Sequence, residues 1–289
     1  MKKSRTFDVV VIIMFAALAL LTLYPFYNVI ILSFSNTESV AKHIPYLLPF
    51  AVDFTGYKTI IQDSDFINSL LVSLFVTIVG TALNMVLSVI AAYVLSRKYL
   101  DGRNIIMSVI VFTMLFGGGL VPTYMVIKDM GLINKVWAMI LPTAINTYYL
   151  IIMKNYFLGL PDGLFEAAKL DGAGEWTMLW KVAFPLSKPI MATFTLFYAV
   201  DRWNEWYNAL LYINKKALSP LQIYLRDILT SLNSQLSTQA QQMMGSTQKV
   251  STSAVQMATI VITALPIMLV YPYLQKYFVN GVMVGGIKE

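Results

Sequence analysis

Six stretches of this chain, near residues 9–34, 68–96, 105–127, 136–157, 189–213 and 257–279, are apolar over the roughly 20 residues that a helix needs to cross the hydrocarbon core of a bilayer. No other feature restricts the fold so strongly. Hydrocarbon offers no water to a free N–H or C=O, so a chain with several such stretches folds into helices that close their own hydrogen bonds. Composition agrees: 57% of residues are hydrophobic and 12% charged, with a mean hydropathy of +0.66, far from the balance of a soluble domain. The expected architecture is all-α, a single polytopic membrane domain over residues 1–289 with six transmembrane helices.

The first stretch follows Lys2, Lys3 and Arg5 and stays apolar past Ala17-Leu18-Ala19 through Leu21, Tyr24 and Phe26. That is too long for the apolar part of a secretory signal, so an uncleaved anchor is expected. Lys and Arg concentrate in alternate connections: Arg97, Lys98 and Arg103, then Lys154, Lys169, Lys181 and Lys188, then Lys276 and Lys288. Positive charge is retained on the cytoplasmic side, which places both termini there. The formal net charge of +6 follows from that topology and needs no nucleic acid.

The chain has no cysteine, which excludes disulfides and thiolate chemistry. Its one histidine, His43, reads as a surface residue of an outer loop, and no metal site is expected. There is no GxxxxGK[ST] phosphate loop, so this polypeptide is expected to bind no ATP and no other cofactor. Gly117-Gly118-Gly119, inside an apolar stretch and followed by Leu120-Val121-Pro122, reads as a helix break or a close helix contact and not as a phosphate cradle.

Between the fourth and fifth apolar stretches, residues 158–188 are charged and helix-forming. Pro161 and Asp162 start a helix, Phe165 to Leu170 continue it, Asp171-Gly172-Ala173-Gly174 interrupts it, and a second helix runs from Glu175 to Lys181. A first helix of about ten residues is marginal alone in water and needs a surface to dock on. Ala167 and Ala168 offer a smooth face, Gly172 a permissive turn, and Glu166 a carboxylate for a partner's Arg.

Glu166-Ala167-Ala168, Gly172 six residues after Glu166, and Val182-Ala183-Phe184-Pro185 after nine intervening residues resemble the EAA loop of ABC importer permeases. Val182 and Phe184 replace the Ile and Leu of that pattern. Further stretches are similar to the carbohydrate-uptake branch, in particular to permeases for complex oligosaccharides: Phe116 to Pro142, Asp201 to Ile213 and Ser219 to Leu229. The resemblance implies a type I importer permease in a bacterial plasma membrane. It implies that Glu166, Ala167, Ala168, Asp171 and Gly172 belong to a cytoplasmic coupling helix seated in a separate ATPase. It also implies a second, nonidentical permease, two ATPase domains that bind the ATP and Mg, and an extracellular solute-binding protein.

Asp201, Arg202, Asn204 and Glu205 fall within the fifth stretch, beside Trp203, Trp206, Tyr207 and Asn208. Ionisable groups there cost roughly 2.5 to 3.5 kcal/mol each near a helix centre, so they are expected to face a water-filled path or one another. On a continuous helix, positions 201, 205 and 208 share one face. Rings beside hydrogen-bonding groups suit the C–H face and hydroxyl rim of a sugar, whereas internal pairing and aromatic packing account for the same residues without a ligand. Asn146, Tyr148 and Tyr149 either face the same path or bond across helices.

Residues 35–66 and 214–256 are the expected outer loops. The second is longer than a tight connection requires. The resemblance implies that it meets the binding protein, with Gln235, Gln239, Gln241 and Gln242 as contact candidates. A proton-coupled sugar transporter with Asp201 and Glu205 as titrating groups is the alternative, but it has no use for an EAA loop.

Overall fold

The computed structural model describes residues 5–35, 52–239 and 254–270, with side chains described for 7–35, 52–230 and 254–270. All regular structure among them is helical apart from a single bridge pairing Ser35 with Val52. Two of the expected spans are unbroken helices: α1 (Arg5–Ser33) and α3 (Ser64–Ser96). Between them lies the short α2 (Thr55–Gln62). The apolar α14 covers Ala254–Val270.

Three other expected spans are interrupted, each for a local reason. The stretch at 105–127 is α4 (Arg103–Leu115) and α5 (Leu120–Asp129), bent by 114°. Gly119 sits at φ +84° and ψ 167°, a conformation that side chains with a Cβ avoid. A Cβ added at Gly117 or Gly118 would meet nothing within 4 Å, so the glycines make a break and not a close helix contact. The stretch at 136–157 is α6 (Trp137–Ile140), a tight turn over Leu141–Thr143, and α7 (Thr147–Leu158). Pro142 has no N–H to continue the helix, and Asn146 restarts it by accepting from the Tyr148 and Tyr149 amides at 3.0 and 3.3 Å.

The connection after α7 holds α8 (Asp162–Leu170) and α9 (Glu175–Met178), the latter continued by a π-helical turn over Leu179–Ala183 and by α10 (Phe184–Leu186). The fifth stretch is α11 (Lys188–Trp203) and α12 (Tyr207–Tyr212), followed by α13 (Leu221–Gln239). The described residues fall into two compact units, one within 1–67 and 224–266 and the other within 68–223 and 267–270. In the first, Ser33 bonds Tyr57 at 2.7 Å, the Tyr224 hydroxyl donates to Asp63 at 2.7 Å, and Phe66 packs against the Tyr224 ring. The second is built on a core from α3, α7, α8, α9 and α11 that includes Tyr93, Phe157, Phe165, Met178 and Phe194. That core carries both regions described next.

Candidate functional site

The α8–α9 hairpin has the shape expected of residues 158–188. The amide of Gly172 donates to the Lys169 carbonyl at 3.0 Å and that of Ala173 to the Ala168 carbonyl at 2.9 Å, with Gly172 at φ +78°. This left-handed glycine cap satisfies carbonyls that the end of α8 would otherwise leave free. The fixed spacing from Glu166-Ala167-Ala168 to Gly172 is therefore the length of a short helix plus its stop signal.

Phe165 is buried in the core, and Ala168 and Ala173 pack against it. Burying one such ring contributes about 2 kcal/mol, which helps a nine-residue helix that is marginal alone. The opposite face is uncovered. Glu166 and Ala167 are exposed, Asp171 and Gly172 are exposed at the turn, Leu170 is 90% exposed and Trp176 64%. Large apolar side chains gathered on a polar hairpin mark a contact surface.

The inner side of the hairpin is tied to the end of α3. Lys98 pairs with Asp162 at 2.8 Å, and the Arg97 guanidinium lies between the rings of Tyr93 and Phe165, 4.1 and 3.8 Å from their centroids. Tyr93 donates to one oxygen of Glu175 at 2.8 Å and Tyr99 donates to the other. Burial alone would raise the Glu175 carboxyl; the Tyr99 and Tyr93 hydroxyls, with the charges of Arg97 and Lys169, more than offset it and hold the group below its ordinary value. Burial and the Glu175 carboxylate push the Tyr99 hydroxyl up to about 12, so it keeps its proton.

The second region surrounds Arg202. The helix expected to run through the polar cluster ends at Trp203, so positions 201, 205 and 208 do not share a helical face. The chain turns through Asn204 to Trp206, and Glu205 caps α12 by accepting from the Asn208 amide and its side-chain nitrogen, both at 3.0 Å. Arg202 is 3% exposed. It donates to the carbonyls of Met139 at 2.6 Å, Ile140 at 3.1 Å and Thr143 at 2.7 Å, to the Thr143 hydroxyl at 2.9 Å and to Asn84 at 3.1 Å. Glu205 is its counter-ion at 3.7 Å. These acceptors are largely the carbonyls that the break after α6 leaves without helical partners, so the interrupted span and the buried charge satisfy each other. Gly80 makes room: a Cβ there would stand 3.0 Å from Arg202 Cδ.

A cavity of about 490 Å³ opens beside this knot, lined by Asn84, Thr143, Asn146, Tyr148, Tyr198, Asp201, Arg202 and Glu205 among others. Asp201 accepts from the Tyr149 hydroxyl at 3.0 Å, and Tyr198 bonds Ser88 at 2.7 Å and accepts from the Asn146 amide at 3.0 Å. Of the residues expected to line a path, Asp201, Arg202 and Glu205 meet at this cavity. Trp203 is 5% exposed and Asn208 is buried. Asn204 turns its amide back to the Val200 carbonyl, and Trp206 and Tyr207 meet edge to face, both about half exposed. Sequence reasoning passed over Asn84, Thr143, Tyr198 and Gly80; an Asn in the middle of an apolar helix was the available signal.

Gln235 and Gln239 lie on α13, but their side chains, like the whole of Gln241, Gln242 and His43, fall outside the described residues. Among the described residues no group of three or more His, Cys, Asp or Glu side chains could hold a metal ion.

Residues 9–284 match the family described as binding-protein-dependent transport system inner membrane component. The chain is 41% identical over 287 residues to the protein LplC of Bacillus subtilis (strain 168), covering 99% of this chain and 96% of that one. It is 42% identical over 286 residues to the polygalacturonan/rhamnogalacturonan transport system permease protein YtcP of the same organism, covering 99% of each. Among solved structures it is similar to a chain of a bacterial ABC transporter involved in the import of the acidic polysaccharide alginate, with 32% identity and a TM-score of 0.87 over 96% of this chain and 98% of that one.

Proposed function

The chain belongs to the binding-protein-dependent transport system inner membrane component family, and from that premise we propose that it forms one half of the translocation path of an ATP-driven oligosaccharide importer. It is a transport subunit of the membrane and not an enzyme. A second, nonidentical permease supplies the other half of the path, and two separate cytoplasmic ATPase domains bind the ATP and Mg. Both termini and the α8–α9 hairpin lie on the cytoplasmic side, in keeping with the distribution of Lys and Arg.

The observation that carries this reading is the uncovered face of the hairpin. Glu166, Ala167 and Leu170 stand exposed on a short helix whose other side is anchored in the core by Phe165, and Trp176 is exposed on α9. Such a helix fits the cleft of a partner that moves when it binds nucleotide. The cavity with Asp201 and Glu205 serves the solute, an oligosaccharide that an external binding protein delivers. The similar solved structure is of a transporter involved in the import of an acidic polysaccharide, but Arg202 offers no support for an acidic solute here, because its guanidinium is committed to backbone carbonyls, Thr143, Asn84 and Glu205.

Purification of the tagged chain from its native membrane in mild detergent should recover an ATPase and a second permease. In the complex, Glu166→Lys and Gly172→Trp should insert normally but lower transport per ATP hydrolysed by about tenfold, within the usual range of coupling energies. A Cβ at Gly172 meets nothing within 4 Å, but its φ of +78° strains any residue with a side chain, so Glu166→Lys, at an exposed helical position, is the variant that spares the fold. Recovery of the chain without an ATPase, or unimpaired transport by both variants, contradicts the coupling role.

A further inference from the structure

The hairpin is fastened to α3 by a set of contacts that the coupling surface itself does not need. Glu175 stands in the first turn of α9, one residue before Trp176; the residue is exposed, but its carboxylate is turned to the end of α3. Both of its carboxylate oxygens are taken, one by Tyr93 near the end of α3 at 2.8 Å, the other by Tyr99 just beyond it. Arg97 is clasped between Tyr93 of α3 and Phe165 of α8. Each helix of the hairpin is thus held separately, α8 through Phe165 and α9 through Glu175. A hinge between hairpin and α3 would be expected to show few interlocking contacts, and this joint shows the reverse.

α3 is also the element that meets the Arg202 knot. Asn84 accepts from Arg202 at 3.1 Å and Gly80 admits its stem. Nine residues of one helix separate Asn84 from Tyr93, about 14 Å along its axis. A rigid rod therefore connects the joint to the cavity wall.

We infer that Glu175 is a positioning residue that locks the hairpin to α3, so that a displacement imposed on the exposed face reaches the cavity and is not absorbed at the joint. The inference rests on the coupling reading given above. Glu175 touches neither partner nor solute in this role; it acts through Tyr93 and Tyr99.

The test uses the complete importer in proteoliposomes and needs only Mg·ATP as the probe. The chain has no cysteine, so Tyr148→Cys at the cavity supplies a single thiol in this subunit, and its labelling rate by a membrane-impermeant maleimide reports whether the cavity opens. With the partner subunits freed of reactive thiols, Mg·ATP should change that rate by about tenfold in the parent, the scale of ordinary conformational coupling. Glu175→Ala should abolish the change while ATP hydrolysis continues. Glu175→Gln, which keeps an acceptor for one tyrosine, should restore part of it. If Glu175→Ala fails to assemble, Tyr99→Phe removes one hydroxyl of the joint from a largely exposed residue and should still weaken the response.

A full response in Glu175→Ala or in Tyr99→Phe overturns the inference. Glu166→Lys, measured alongside, separates the two claims, because Glu166 is exposed on α8 and takes no part in the joint. Loss of response in Glu166→Lys with a full response in Glu175→Ala removes the lock and leaves the coupling role intact. A full response in Glu166→Lys removes the coupling role itself.

Discussion

The hairpin and the Arg202 knot both put charged groups against a packed interior, yet they balance their accounts differently. At the knot most of the answer lies within the chain: the two terminal guanidinium nitrogens find three carbonyls, a hydroxyl, an amide and a carboxylate, while Arg202 Nε and Asn84 Nδ2 are buried without a partner. At the hairpin only the inner side is answered, by Glu175, Arg97 and Phe165, while Leu170 is left 90% exposed. The first region is answered mostly from within the fold, and the second is complete only with a partner. A largely satisfied buried network holds a geometry, whereas a half-covered surface transmits one.

The comparison breaks most severely at Arg202. Arg202→Ala leaves the partly buried Glu205 without its counter-ion and takes the guanidinium donors from the carbonyls of Met139, Ile140 and Thr143. The expected loss is about 3 to 5 kcal/mol, the usual cost of removing one partner of a buried ion pair. It should appear as a large drop in the yield of detergent-stable protein. Arg202→Lys should fare little better, because an ammonium cannot reach acceptors spread over two planar nitrogens. A stable Arg202→Ala protein would mean that water replaces the guanidinium and that the knot is part of the open cavity.

A smaller effect is expected across the helix interface. Gly80→Val puts methyl groups where Arg202 Cδ stands 3.0 Å from a bare Cβ, and α3 has no slack to turn away, since Ser88, Tyr93 and Asn84 are all engaged on the same unit. Overpacking of this kind costs about 1 to 3 kcal/mol. A thermal melt of the detergent-solubilised protein should fall accordingly, and an unchanged melt would show that the Arg202 stem relocates freely.

These two regions also differ in how far the sequence discloses them. The hairpin is local: a helix start at Asp162, a stop at Gly172 and a restart at Glu175 are written in consecutive residues, and the fold follows them. The knot joins residues 59 to 118 positions apart, and apolar counting does not register it. Hydropathy reads a stretch as one span whenever its residues are apolar, but Gly119, Pro142 and the turn after Trp203 break three such stretches, and around Pro142 it is Arg202 that receives the carbonyls. The same break places Asp201 and Glu205 at a cavity and buries Trp203, which no helical wheel separates. The outer glutamines, by contrast, were placed from resemblance alone, and the described side chains do not reach them.

The smallest effect concerns pH, and it distinguishes the two sides of the hairpin. Glu175 is held below its ordinary value of 4.5 in the folded chain, so the unfolded state binds its proton more readily. The stability it contributes is therefore fully present above 4.5 and is lost as pH falls through the lower, folded value. Asp162, lowered by the Lys98 hydrogen bond and charge, follows the same sign, but the pair is open to solvent and salt screens it. The Tyr99 hydroxyl, pushed to about 12, does not titrate near neutrality. Hydrogen exchange of the hairpin amides, corrected for intrinsic rate, should then be flat around neutral pH and accelerate only below 4.5. Raising the salt concentration should loosen the exposed pair of Lys98 and Asp162 more than the Glu175 contacts, whose donors are uncharged hydroxyls. Protection that falls already near neutral pH would assign the joint to some group other than this carboxylate, and the lock would then have to be sought in the rings around Arg97.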